Sequence, residues 1–163
     1  MGDGVFDLTT AEQMLGKLRL EVEAYKADET ARHAMNALLT GYHLREWVWH
    51  ERLANDDVLK GRLGIRSKGE LLVQVEKEHP QFTLVHAIAN GSKHFNRKPG
   101  DPTKGKPADP ITGKHTGAFS PAFSKAFSVD HLFIEADGKH HDVEDVLDAL
   151  LKYWESFFAA NLR

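Results

Sequence analysis

Two short stretches hold the side chains in this sequence best suited to chemistry. Arg45-Glu-Trp-Val-Trp-His50 places a guanidinium, a carboxylate and an imidazole within one short run, and Asn90-Gly-Ser-Lys-His94 does the same for an amide, an ammonium and a second imidazole. An imidazole titrates near neutral pH and can move protons. A neighbouring cation can stabilise the charge that builds on a phosphate in a transition state. On this reading His94 or His50 serves as the acid–base group, Lys93 or Arg45 as the phosphate-stabilising cation, and Asn90 and Glu46 as orienting groups. The implied activity, where there is one, is that of a metal-independent endoribonuclease with no cofactor.

The same residues permit a different chemistry. His43-x-x-Glu46 sets two ligand types three residues apart on one helical face, with His50, His86 or His94 available to complete a shell around a divalent transition metal. Against it, no matching Glu-x-x-His stands on a second helix, and Lys93 would repel a cation. A structural role competes with both. At 100° per residue Glu46 falls within the apolar face of Met35, Leu39, Tyr42 and Leu53, with His43 and His50 alongside, where a carboxylate must be paired, protonated or ligating. Pairing across to a neighbouring helix would simply fix register.

These residues need helices to hold them. Thr9 and Thr10 followed by Glu12 and Gln13 resemble a capping box, and Leu8, Ala11, Leu15, Leu18, Val22 and Tyr25 carry a first helix to about Lys26. Asp28 can cap a longer second helix ending near Asn55. Ser67-Lys-Gly-Glu70 opens a short third, His79-Pro80 closes it, and a fourth runs from about Gln81 to Phe95. From Asn96 to Ser128 periodicity is lost and five of the six prolines fall there, which predicts a long loop with Phe119, Phe123 and Phe127 docking its far end on the core. His131-Leu-Phe-Ile-Glu-Ala, Asp137-Gly138 and Lys139–Val143 read as a hairpin. Val143, Val146, Leu147, Leu150, Leu151, Trp154, Phe157 and Phe158 define the apolar face of a last helix. The expected fold is predominantly all-α: an antiparallel bundle of about five helices, with one β-hairpin before the last and a long basic loop at 96–128, in a single domain over residues 1–163.

Composition narrows the functions. With no cysteine there is no disulfide, thiol nucleophile or thiolate metal site. No run is long and apolar enough for a membrane span and no basic-then-apolar leader opens the chain, so a cytoplasmic protein without a membrane partner is expected. The charge of −3 is uneven: residues 93–125 hold seven basic side chains against two acids, so that segment is +5 and the rest −8. Such a segment attracts phosphate, making RNA a candidate partner through 93–125. Trp47 and Trp49 diverge around their helix, and an exposed one would suit a protein partner or a homodimer, so a non-catalytic interaction module is the alternative. Phosphate-loop, dinucleotide and Gly-x-Ser-x-Gly motifs are absent, as is His-Glu-x-x-His.

The Asn90–His94 and Arg45–His50 stretches together resemble the HEPN superfamily, small all-α domains of bacterial toxin–antitoxin and anti-phage systems, some of them RNases and others RNA-binding or structural. The family motif is an arginine, usually followed by a polar residue such as asparagine, then a histidine four to six positions after the arginine. Ala89-Asn-Gly-Ser-Lys-His94 matches the asparagine and histidine with Ala89 in the arginine's place, and Arg45-x4-His50 keeps the arginine. On a regular helix Arg45 and His50 point about 140° apart, so they are expected to converge only with a partner or across a dimer. The resemblance implies an RNA-directed domain of a defence or toxin–antitoxin setting.

Overall fold

The computed structural model describes residues 8–92, 111–115, 131–136 and 138–162. Helix α1 (Ala11–Ala27) starts at a full capping box, in which Thr10 accepts from the Gln13 N–H at 3.1 Å and the Gln13 amide oxygen accepts from the Thr10 N–H at 3.1 Å. Its buried stripe is Met14, Leu15, Leu18, Val22 and Tyr25. Asp28 closes this helix rather than opening the next, because its N–H returns to the Ala24 and Tyr25 carbonyls. Thr30 caps α2 (Ala31–Val48) instead.

Helix α2 continues into a π segment, Trp49–Leu53, whose wider turn is a rare local geometry often associated with function. A short helix that the sequence reading passed over, α3 (Asp57–Leu63), lies between an Asp56 cap and Gly64 at φ 70°. Helix α4 (Lys68–Glu78) begins at the Ser67 cap, and Glu70 reaches back to the Arg66 N–H at 2.7 Å. Helix α5 (Phe82–Ser92) follows, and α6 (Val143–Asn161) completes the bundle behind the Asp142 cap.

The hairpin forms as expected from β2 (His131–Ala136) and β3 (Lys139–Asp142), with Gly138 at φ 70°. The segment expected to be loop contributes a strand as well. Strand β1 (Ile111–His115) pairs antiparallel with β2, giving a three-stranded sheet in the order β1-β2-β3. The pairing places Gly113 opposite Phe133, whose ring occupies the space a β-carbon at 113 would need. One face of β2 is then buried through Ile134 and Ala136. A strand so short and glycine-containing has no period of its own and is fixed by its partner.

The core joins α1, α2, α5 and α6 around Trp154, Tyr25, Phe82, Leu18, Leu44, Leu147 and Leu150. At the α2–α6 crossing, Gly41 lets Leu150 approach the α2 backbone, and Trp154 donates its indole N–H to the Gly41 carbonyl at 3.0 Å. Among the described residues no helix is long and apolar enough to cross a membrane.

Candidate functional site

Helix α2 buries Ala34, Ala37, Leu38, Thr40, Gly41, Tyr42, Leu44, Arg45 and Val48, a broader face than the sequence suggests that includes the expected Leu38 and Tyr42 and extends round to Arg45. Met35, placed on the core side by that expectation, is exposed. The charged group in the core is therefore Arg45, with its side chain 7% exposed, while Glu46 stands at the margin at 27%. Small residues on this face allow close packing. Ala34 and Ala37 are small and buried, and at Gly41 the Leu150 side chain of α6 occupies the space a β-carbon would need.

Glu46 draws together what the sequence separates. One of its oxygens accepts a short hydrogen bond from Arg45 Nη2. The other lies 2.8 Å from Lys68 Nζ, brought in at the first position of α4, and 3.7 Å from His50 Nε2. Arg45 and His50 thus meet on one carboxylate within a single chain, without a partner. The cause is simple: His50 lies one helical turn beyond Glu46, and the long Arg45 side chain reaches its sequence neighbour. Partial burial pushes the Glu46 carboxyl up, but the Lys68 hydrogen bond and the Arg45 and Lys68 charges outweigh it, so the group ionises below the usual range. His50 is 68% exposed and Lys68 nearly half exposed, so both are open to a ligand.

Arg45 also rests against Tyr42, its guanidinium carbon 5.1 Å from the ring centre, and its Nε is buried with no hydrogen-bond partner among the described residues. The Tyr42 ring stacks on His86 of α5 at 5.4 Å and 17°, and on Phe82 one turn earlier at 6.1 Å. His43 meets the same ring edge-on at 5.3 Å. His86 Nδ1 is 2.7 Å from a Glu76 oxygen on α4, and each side chain of this pair is about a quarter exposed.

Asn90 is half-buried one turn beyond His86 on α5. Ala89, in the place of the family arginine, is fully buried in the core. Lys93 and His94 lie outside the described residues, as do Phe95 and the greater part of 96–128, including Phe119, Phe123 and Phe127. Of the alternative ligand pair, His43 packs on Tyr42 and Glu46 is held by two cations; among the described residues no group of three or more His, Asp or Glu side chains is placed to hold a metal. Trp47 and Trp49 are both half-buried against the core rather than one in and one out.

Sequence reasoning missed Lys68 and Glu76 because neither shares a helix with the residues it serves. The Ser67 cap places Lys68 at the start of α4, but nothing in the spacing gives the direction from which α4 meets α2. No family model, curated protein or solved structure matches the chain.

Proposed function

We propose that this chain is a HEPN-like helical domain that binds RNA by its phosphates at the C-terminal end of α2, in the cytoplasm of a bacterial defence or toxin–antitoxin setting. The observation that carries the reading is the convergence of Arg45, His50 and Lys68 on the Glu46 carboxylate. A carboxylate held by a guanidinium, an ammonium and an imidazole occupies a place whose donors equally suit a phosphate oxygen. Lys68 and His50 supply the accessible donors, and Arg45 fixes the carboxylate from inside the core. The +5 charge of residues 93–125 adds a sequence-independent attraction for the same polymer.

The test is fluorescence anisotropy with a labelled single-stranded RNA across a salt series. Lys68→Ala and His50→Ala should each weaken binding about five- to tenfold, and Lys68→Ala should reduce the slope of log affinity against log salt by about 0.7, the value for one lost phosphate contact on a single strand. Wild-type protein that binds no RNA, or variants that bind as tightly as wild type, would refute the proposal.

A further inference from the structure

We infer that the cavity between the first half of α2 and the inner face of the sheet is a binding site for an uncharged, apolar molecule of two or three rings. The inference is independent of the RNA-binding reading, since none of the residues lining the cavity belongs to the cluster on Glu46. The cavity has a volume of about 520 Å³. Packed interiors rarely leave a void larger than a water molecule, and pockets that hold small organic ligands run to roughly 300–1,000 Å³. Side-chain size accounts for the space. Helix α2 contributes Ala31 and Ala34 to the lining and β1 contributes Thr112 and Gly113, and groups this small leave the room between the two elements unfilled. Leu38, Ile88, Leu132, Ile134 and Val143 give it apolar walls from α2, α5, β2 and α6. Met35 lines the cavity as well and is 37% exposed, which marks where it opens to solvent.

The lining sets the chemistry of what fits. Its charged side chains among the described residues are Glu29 and Lys114, of opposite sign and neither of them buried. A charged ligand would gain at one what it loses at the other. The Thr30 hydroxyl is already used, accepting from the His33 N–H as the cap of α2. The buried side-chain atoms left without a hydrogen bond among the described residues belong to Tyr25, His33, Arg45, Gln74 and His79, and none of these lines the cavity. The walls therefore ask for no polar partner, and a polar group on the ligand would give up its water without return. The driving force is the apolar surface that both sides withdraw from water. An apolar cavity of about 150 Å³ holds one benzene ring, so a cavity more than three times as large has room for two or three.

The experiment compares two fluorescent probes on the full chain. N-phenyl-1-naphthylamine is uncharged and carries a naphthalene and a phenyl ring; 8-anilinonaphthalene-1-sulfonate is the same skeleton with a sulfonate added. The uncharged probe should give a saturable one-to-one rise in fluorescence and should raise Tm, as a ligand of the folded state must. The sulfonate should bind about tenfold more weakly or worse, because its charge has to leave water at apolar walls. Ala34→Leu fills part of the cavity and should weaken binding of the uncharged probe by about tenfold or more, since the ligand and the added side chain compete for one volume. Should that variant fail to fold, Ala31→Phe, at an exposed position of the same lining, carries the same expectation. Absence of saturable binding overturns the inference and means that the chain fills the cavity itself. Equal affinity for the sulfonate overturns the uncharged chemistry, and wild-type affinity in both variants overturns the site.

Discussion

Glu46→Ala should unsettle the fold more than a substitution at a partly exposed position ordinarily does. Arg45 is almost wholly inside, and Glu46 is its one ionic partner among the described residues. Removing one member of a buried ion pair costs roughly 3–5 kcal/mol, because the other charge stays buried and unpaired. Glu46 is itself about a quarter exposed, and solvent screening of the pair takes about 1 kcal/mol off that figure. Lys68 is nearly half exposed, and its freed ammonium returns to water at little cost. The expected loss is therefore about 2–4 kcal/mol. In a chain of this length that is a fall in Tm of roughly 4–16 °C at about 2–4 °C per kcal/mol. Urea denaturation followed by circular dichroism gives the free energy directly. Arg45→Met in the Glu46→Ala background should recover much of the loss, since it replaces the stranded cation with an apolar side chain of similar reach. The pH dependence follows the same logic. The folded-state value for Glu46 lies below its ordinary 4.5, so its contribution is present above that pH and disappears as pH falls through the lower folded-state value. A Glu46→Ala protein within 0.5 kcal/mol of wild type would mean that Arg45 is solvated, and the buried-cation reasoning would fail.

Lys68→Ala, by contrast, should change stability by less than about 1 kcal/mol in the same denaturation assay even where it weakens RNA binding, since exposed pairs contribute little; a larger loss would make Lys68 a structural residue. Gly41→Ala drives a β-carbon into Leu150 Cδ2 and to 2.9 Å from its Cγ, in a buried contact. Overpacking of about 1–3 kcal/mol outweighs the roughly 1 kcal/mol gained in helix propensity, so urea unfolding should show a net loss, and a stabilised variant would contradict the close α2–α6 crossing. His79 stacks on Tyr153 at 5.5 Å with Nε2 buried and unpartnered, and burial holds its imidazole below the ordinary 6.5. The unfolded chain takes up a proton at 6.5 while the folded chain resists, so stability falls as pH drops through 6.5 toward the folded-state value. His79→Phe keeps the stack, should add about 1 kcal/mol at pH 7 and should flatten the profile between pH 7 and 5; an unchanged slope in a pH series of melts would refute this.

Much of the helical frame was legible because its signals are local. Thr10 with Gln13, Ser67, and the apolar face of the last helix each fix an element from within a few residues. The Asp56 and Gly64 signals for α3 were equally local, but this helix buries no side chain and so shows no apolar stripe to support them. Strand β1 was not legible because Thr112 and Gly113 acquire an extended conformation from β2 rather than from their own types. At the site, Arg45 and Glu46 were named but their places relative to the core were exchanged. An angular projection centres on the apolar residues, whereas the packed helix buries a wider face, small and large side chains together, that takes in Arg45. The His50–Glu46 pair is one helical turn and so lies within the spacing, but the Lys68 contact required the approach of α4, which sequence spacing does not encode.

The three tryptophans occupy positions that make them optical reporters of different events. Trp154 is sealed in the core with its indole bonded to Gly41 and should emit blue-shifted light that changes only when α2 and α6 part. Trp47 and Trp49 lie at the joint between α2 and the π segment, partly exposed and within three residues of Glu46 in the chain. Their emission should respond to a ligand while the buried indole stays silent. Steady-state fluorescence of the unlabelled protein can therefore separate occupancy of the site from loss of the fold, with Trp154→Phe isolating the ligand signal.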